Sequence, residues 1–177
     1  MNTECKLNHN NWMNLQKKKN SKRKNYAGKE ETWMKIAKVV AERSKDPNTQ
    51  VGCVIVDKND RIISIGYNGF PNGISDDVLP WDREAENEYD TKYPYVMHAE
   101  RNAILNSGSR LNDLKGATLY VTLFPCRECT KSIIQCGISR IVYDSNKYKD
   151  TDDYKEAVRM LDCVGIAYVN IKDLISK

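Results

Sequence analysis

No stretch of the 177-residue chain comes near the roughly 20 uncharged apolar residues that a membrane-crossing helix needs, so a membrane protein is not expected. The opening residues lack the apolar run of a secretory signal, and the expected location is the cytoplasm. In that compartment the six cysteines, Cys5, Cys53, Cys126, Cys129, Cys136 and Cys163, read as metal ligands or buried thiols rather than as a disulfide framework. No internal repeat is visible. A hydrophobic content of 40% supplies a core for one domain, and the length leaves no room for a second full one.

Positive charge is missing from where a polynucleotide binder would carry it. Residues 1–29 hold eight basic side chains against the single Glu4, so the net +4 of the whole chain leaves −3 for everything after Lys29. A body of that charge argues against a nucleic-acid partner, which would need a basic groove in the fold itself. The division expected is therefore a basic, disordered tail over 1–29 and one domain over 30–177. The run from Lys17 to Lys24 fits a solvated tail, and also a nuclear-localisation or RNA-touching segment.

From Glu30 onward the pattern is regular. Trp33, Ile36, Ala37, Val40 and Ala41 recur at helical spacing and predict a helix over 30–44, closed by Asp46-Pro47-Asn48. Val51 to Asp57 and Arg61 to Tyr67 read as an antiparallel hairpin across Lys58-Asn59-Asp60. Residues 68–97 hold three of the five prolines and form a long excursion, the kind that a domain keeps for function. Helices are predicted over 98–106, 126–136 and 152–164, and strands over 117–123, 138–143 and 166–171. Strand and helix alternate through this half, which calls for parallel pairing with helices on both faces. The fold class expected is a three-layer α/β/α sandwich around a mixed sheet of about five strands.

Two short motifs carry the chemistry, His98-Ala99-Glu100 and Pro125-Cys126-Arg127-Glu128-Cys129, each at a predicted helix start. They match the H-x-E and P-C-x-x-C signature of nucleobase deaminases. Cysteines at i and i+3 share a helix face, so Cys126 and Cys129 can reach one metal, with His98 as the third ligand. Three protein ligands leave one position of Zn²⁺ open, which is the catalytic arrangement. Unpaired N–H groups at a helix start favour thiolate. Glu100, two residues from His98, can face the same metal only where the chain enters the helix, and it is assigned as the general acid/base. Zinc brings the pKa of water from about 16 to near 7, which makes hydroxide available to attack C4 of cytosine. A lone C-x-x-C also suits a structural zinc half-site or a redox pair. The first would need a fourth ligand when His9 is the only other histidine, and the second leaves His98-Ala99-Glu100 without a role. Cys53, Cys136 and Cys163 lie among apolar neighbours and are expected in the core.

From about Glu30 to Val169 the chain resembles the deoxycytidylate (dCMP) deaminases of the cytidine deaminase-like superfamily. The resemblance rests on the stretches 44–52, 66–73, Asp76-Asp77-Val78-Leu79-Pro80-Trp81, 92–100 and Leu123-Phe124-Pro125-Cys126. The Asp-Asp-Val-Leu-Pro-Trp run is the most specific, because related cytidine, guanine and tRNA adenosine deaminases typically lack it. The resemblance implies hydrolysis of dCMP to dUMP and ammonia, with dUMP feeding thymidylate synthesis. It implies a homohexamer activated by dCTP with Mg²⁺ and inhibited by dTTP. Carried over by position, Asn68 holds the sugar hydroxyl, and Tyr148 lies near the substrate phosphate with Asn48, Gln50 and Lys147 as further candidates. Gly66, Tyr67 and Gly69 belong to the turn that senses the effector. Asn68-Gly69 is also a good turn dipeptide in its own right, and Tyr148 also suits a surface-packing role. Arg101 departs from the leucine common at that position. Two other readings share the motifs: a deaminase acting on tRNA or single-stranded DNA, and a non-catalytic scaffold on the same fold.

Overall fold

The computed structural model describes residues 23–175. Strands β1 (Gly52–Val56), β2 (Ile62–Tyr67), β3 (Thr118–Leu123), β4 (Arg140–Ser145) and β5 (Ala167–Asn170) form one sheet in the order β2-β1-β3-β4-β5. β1 runs antiparallel to both of its neighbours, whereas β3, β4 and β5 are mutually parallel. Among the described residues the α-helices are α1 (Lys29–Ala41), α2 (Ala99–Asn106), α3 (Arg127–Gln135), α4 (Asp152–Val164) and α5 (Ile171–Ile175).

β1 is buried at all five positions, which is what a strand covered on both faces requires. Its side chains alternate between two cores. Cys53 and Ile55 pack with Ala99, Ala103, Ile133 and Leu161 from α2, α3 and α4. Val54 and Val56 pack with Met34, Ala37 and Val40 of α1 and with Ile171 of α5. The expected three-layer α/β/α sandwich with a mixed five-strand sheet is the structure that forms.

Two glycines set how closely helices approach. A Cβ on Gly52 would stand 1.9 Å from the Ala37 carbonyl oxygen on α1, and one on Gly66 would stand 2.3 Å from the backbone of Ala99 and Ala103 on α2. α2 is then tied to β2 by side chains: Ser64 Oγ donates to the Ala103 carbonyl (2.7 Å). Asn102 donates to the Tyr67 carbonyl (2.8 Å) and Asn106 to that of Ile65 (2.9 Å). Arg110 donates to the carbonyls of Ile62 and Ile63 (3.2 and 3.3 Å). Gly66→Ala is expected to cost about 1–3 kcal/mol, because a methyl group cannot enter against backbone. Thermal unfolding checks the loss, and turnover should fall with it because α2 shifts.

Several elements differ from expectation. The first helix ends at Ala41, and its last turns to Ser44 tighten to i→i−3 hydrogen bonds. The strand expected over 138–143 begins at Arg140 and runs to Ser145; Gly137, at φ +74°, turns the chain after α3, and Ile138 bonds back to Ile133. α5 was not anticipated. Cys53 is in the core and Cys136 packs against it, but Cys163 is exposed. The buried residues of α4 are Ala157 and Leu161, and a position two residues beyond Leu161 turns to the opposite side of the helix. Residues 1–22, with Cys5, His9 and most of the basic run, lie outside the described residues, and Lys29, assigned to the tail, opens α1. Among the described residues no helix is long and apolar enough to cross a membrane.

Candidate active site

Sheet topology gathers the chemistry-bearing segments on one edge. β3 and β4 are parallel, so their C-terminal ends coincide, and antiparallel pairing brings the start of β1 and the end of β2 to the same place. Segments 46–51, 68–98, 124–126 and 146–148 all meet there. The neck of the long excursion is closed by a two-way backbone bridge between Gly69 and Met97 (3.1 and 2.9 Å), which sets Asn68 and His98 beside each other across the chain.

His98 is the N-cap of α2 and Cys126 the N-cap of α3, both with extended backbone. The Cys126 sulfur accepts from the Cys129 backbone N–H (3.4 Å), as a capping side chain does at the third helical position. His98 makes no capping bond, and its Nδ1 turns instead to the sulfurs, 3.4 Å from each of Cys126 and Cys129. All three donor atoms lie within 4.8 Å of one another. Tetrahedral zinc with Zn–S of about 2.3 Å and Zn–N of about 2.0 Å implies N···S edges of roughly 3.6 Å, so this donor set fits that ion. The cluster opens to solvent at His98 and closes at the buried Cys129.

The hydrogen bond from Cys129, and then His98, draws the Cys126 thiol down to about 4 against the opposing effect of burial. The bond to Cys126 in turn holds His98 up at about 9. Donation to Cys126, with burial, pushes Cys129 upward. Glu100, the second residue of α2, is only 4% exposed and lies against His98, Cys126 and Cys129. Burial pushes its carboxyl up, and His98 pulls it partly back. The buried thiol of Cys53 lies near Glu100 on the core side and is raised by burial.

Asn68 is buried and faces inward to a loop. Its Oδ1 accepts from Val51 N–H (2.8 Å), and its Nδ2 donates to the Thr49 carbonyl (2.9 Å) and to Asp46 Oδ2 (3.3 Å). Asp46 is the hub of that loop. Its Oδ1 caps the N–H groups of Asn48 and Thr49, while Oδ2 pairs with Lys92, and both charges are buried at 3% and 6% exposure. Gln50 donates to the Asp46 carbonyl, and Asn48 and Gln50 are themselves exposed. Lys147 Nζ donates to Thr49 Oγ1 (3.0 Å) and stands 4.9 Å from the Tyr148 ring centre. Burial alone would raise the Tyr148 phenol, but Lys147, Thr49 and Arg83 together bring it below the ordinary tyrosine range.

The metal group and Glu100 are therefore together, and Asn68, Asn48, Gln50, Lys147 and Tyr148 line the neighbouring loops. Gly66 and Gly69 sit at the α2 contact and the excursion neck, and the Arg43 guanidinium lies 5.8 Å from the Tyr67 ring centre. Sequence reasoning missed Asp46, Thr49, Arg83 and Lys92. Asp46 was read only as a turn former, and a pair 46 residues apart leaves no local spacing to detect.

Residues 27–145 match the family model described as the cytidine and deoxycytidylate deaminase zinc-binding region. The human deoxycytidylate deaminase is 52% identical over 147 residues, covering 83% of this chain and 82% of that protein. The protein named probable deoxycytidylate deaminase in Drosophila melanogaster is 51% identical over 152 residues, covering 83% and 74%. The crystal structure of the cyanophage S-TIM5 dCMP deaminase in complex with dCMP and dUMP aligns with a TM-score of 0.61 at 29% identity, covering 79% of this chain and 94% of that one.

Proposed function

We infer the function from one premise, that this chain belongs to the cytidine and deoxycytidylate deaminase family. It is an enzyme that deaminates dCMP, with water replacing the C4 amine to give dUMP and ammonia. The observation that carries this reading is the His98, Cys126 and Cys129 donor set, with the buried carboxyl of Glu100 against it. Those three residues would hold zinc, which supplies the Lewis acidity that turns water into a nucleophile near neutral pH. The carboxylate of Glu100, kept from solvent, takes one proton of the attacking water and delivers it to ring N3, then passes the second proton of that water, from the hydroxyl now on C4, to the leaving amine. Both NH₂ protons of Asn68 are used within the loop, so a sugar hydroxyl would be met by the second lone pair of Oδ1. Tyr148 and Lys147, with Asn48 and Gln50, are proposed for the phosphate end.

The direct test incubates the zinc-loaded full chain with dCMP, CMP, dCTP, cytidine and single-stranded oligonucleotides. dCMP is the expected substrate, and turnover confined to oligonucleotides would overturn the reading.

Regulation is proposed on the same family footing. dCTP with Mg²⁺ activates and dTTP inhibits through the turn containing Gly66, Tyr67 and Gly69, in a homohexamer. The place of that turn supports this: Gly66 abuts α2, and Gly69 pairs with the residue before His98, so a ligand gripping the turn bears on the helix that carries Glu100. Initial rates on dCMP with and without each triphosphate test it. A cytoplasmic location and a supply of dUMP to thymidylate synthesis complete the proposal.

A further inference from the structure

The turn that bears Cys126 is gripped on both of its sides, and one helix, α4, takes part in both grips. On the side before it, Phe124 is buried, with its ring centre 4.5 Å from that of Tyr154 on α4, 5.0 Å from Tyr143 and 5.9 Å from Tyr168. The Phe124 N–H also donates to the Ser145 carbonyl (2.8 Å). On the side after it, the Arg127 backbone N–H donates to Asp153 Oδ2 (3.3 Å) in the first turn of α4. The Arg127 guanidinium then lies along α4, with Nη1 donating to Glu156 Oε2 (2.9 Å) and Nε 3.6 Å from Asp153 Oδ1. Its contact with the adjacent Glu128 is longer, at 3.8 Å, and Glu128 pairs more closely with Lys131 (2.7 Å).

Arg127 opens α3, so its N–H is one of the four at that helix start without a partner inside the helix. Cys126 Sγ takes the N–H of Cys129, and a carboxylate from a separate helix takes that of Arg127. The Arg127 N–H belongs to the peptide unit that joins it to Cys126. That unit is planar, so a bond to its N–H fixes the plane that contains the Cys126 Cα. Before Cys126, the ring of Pro125 locks its own φ, and Phe124 is packed in place. Cys126 is thereby left with little freedom beyond its own side-chain torsion. Partners behind a metal ligand commonly set its orientation, and losing one costs about 10- to 100-fold in metal affinity or activity.

We propose that Asp153 is a positioning residue for the metal centre, holding the Cys126 turn so that its sulfur faces His98 and Cys129, with Glu156 supporting it through Arg127. This rests on the zinc reading above. The test measures zinc affinity of the full-length chain by competition with a chromophoric chelator, together with the thiolate-to-cobalt absorption of the Co²⁺-loaded chain. Asp153→Ala should weaken zinc about 10- to 100-fold and alter the cobalt bands. Asp153→Asn should restore most of the affinity, because its amide oxygen still accepts the Arg127 N–H. Glu156→Ala should cost less, since it touches the Arg127 side chain and not the backbone. Asp152→Ala is the control: it lies in the same first turn of α4, but its ion pair is with Lys155 (3.0 Å), and zinc affinity should not change. Affinity and cobalt spectra unchanged in Asp153→Ala would overturn the proposal. So would an equal loss in Asp152→Ala, which would trace the effect to the stability of α4. Zinc uptake by the unsubstituted chain in the same titration tests the zinc reading by itself, and a chain that took up none would remove that reading and this proposal with it.

Discussion

Glu100→Gln is expected to lower kcat on dCMP by about 10²–10⁴-fold, the usual contribution of a positioned general acid/base, while bound zinc and thermal stability are kept. The amide is nearly the same size and can fill the same buried space, but it can neither take a proton from water nor hand one to ring N3. Stability should hold or rise, because burial already disfavours the carboxylate and the substitution removes that cost. Cys129→Ala should behave differently, losing metal and activity together, since it removes one of the three donors grouped among the described residues. Zinc content, melting temperature and kcat measured on both variants separate the two roles. A Glu100→Gln enzyme that stays active would remove this carboxyl from the chemistry.

Lys92→Met should destabilise the fold by about 3–5 kcal/mol, because it leaves the Asp46 carboxylate buried without its cation. Asp46 cannot simply become neutral without loss: it also caps the N–H groups of Asn48 and Thr49 and accepts from Asn68. The same substitution unties the excursion from the loop that bears Thr49 and Gln50, so KM for dCMP should rise in the fraction that remains folded. Denaturant unfolding monitors the first effect and steady-state kinetics the second. A cost under about 1 kcal/mol, the range of an exposed pair, would mean that solvent reaches this pair and that it does not organise the loop.

Much of the metal end was legible because its information is local. The i, i+2 and i, i+3 spacings at two helix starts are short-range facts, and the helix geometry turns them into a donor cluster. The strands were legible for the same reason, from alternation and from turn residues. Their order was not, since nothing in the run Val51 to Asp57 says that it will lie between β2 and β3, and that interposition decides which loops share an edge. The neighbouring loops were harder still. Asp46 with Lys92 and Thr49 with Lys147 join loops through tertiary contacts, and no periodicity marks them. Cys163 shows the limit inside a helix: apolar neighbours in sequence suggested burial, but helical phase placed it outward.

The row of side chains from Asn102 through Asn106 to Arg110 has an effect beyond holding a helix in place. β2 is a border strand of the sheet, and its alternate carbonyls at Tyr67, Ile65 and Ile63 would otherwise point toward open water. An unguarded border of that kind is a template on which another extended chain can add itself, the first step of edge-to-edge aggregation. Two amides and a guanidinium occupy those acceptors in advance. At the opposite border, β5 is only four residues long and offers little to copy.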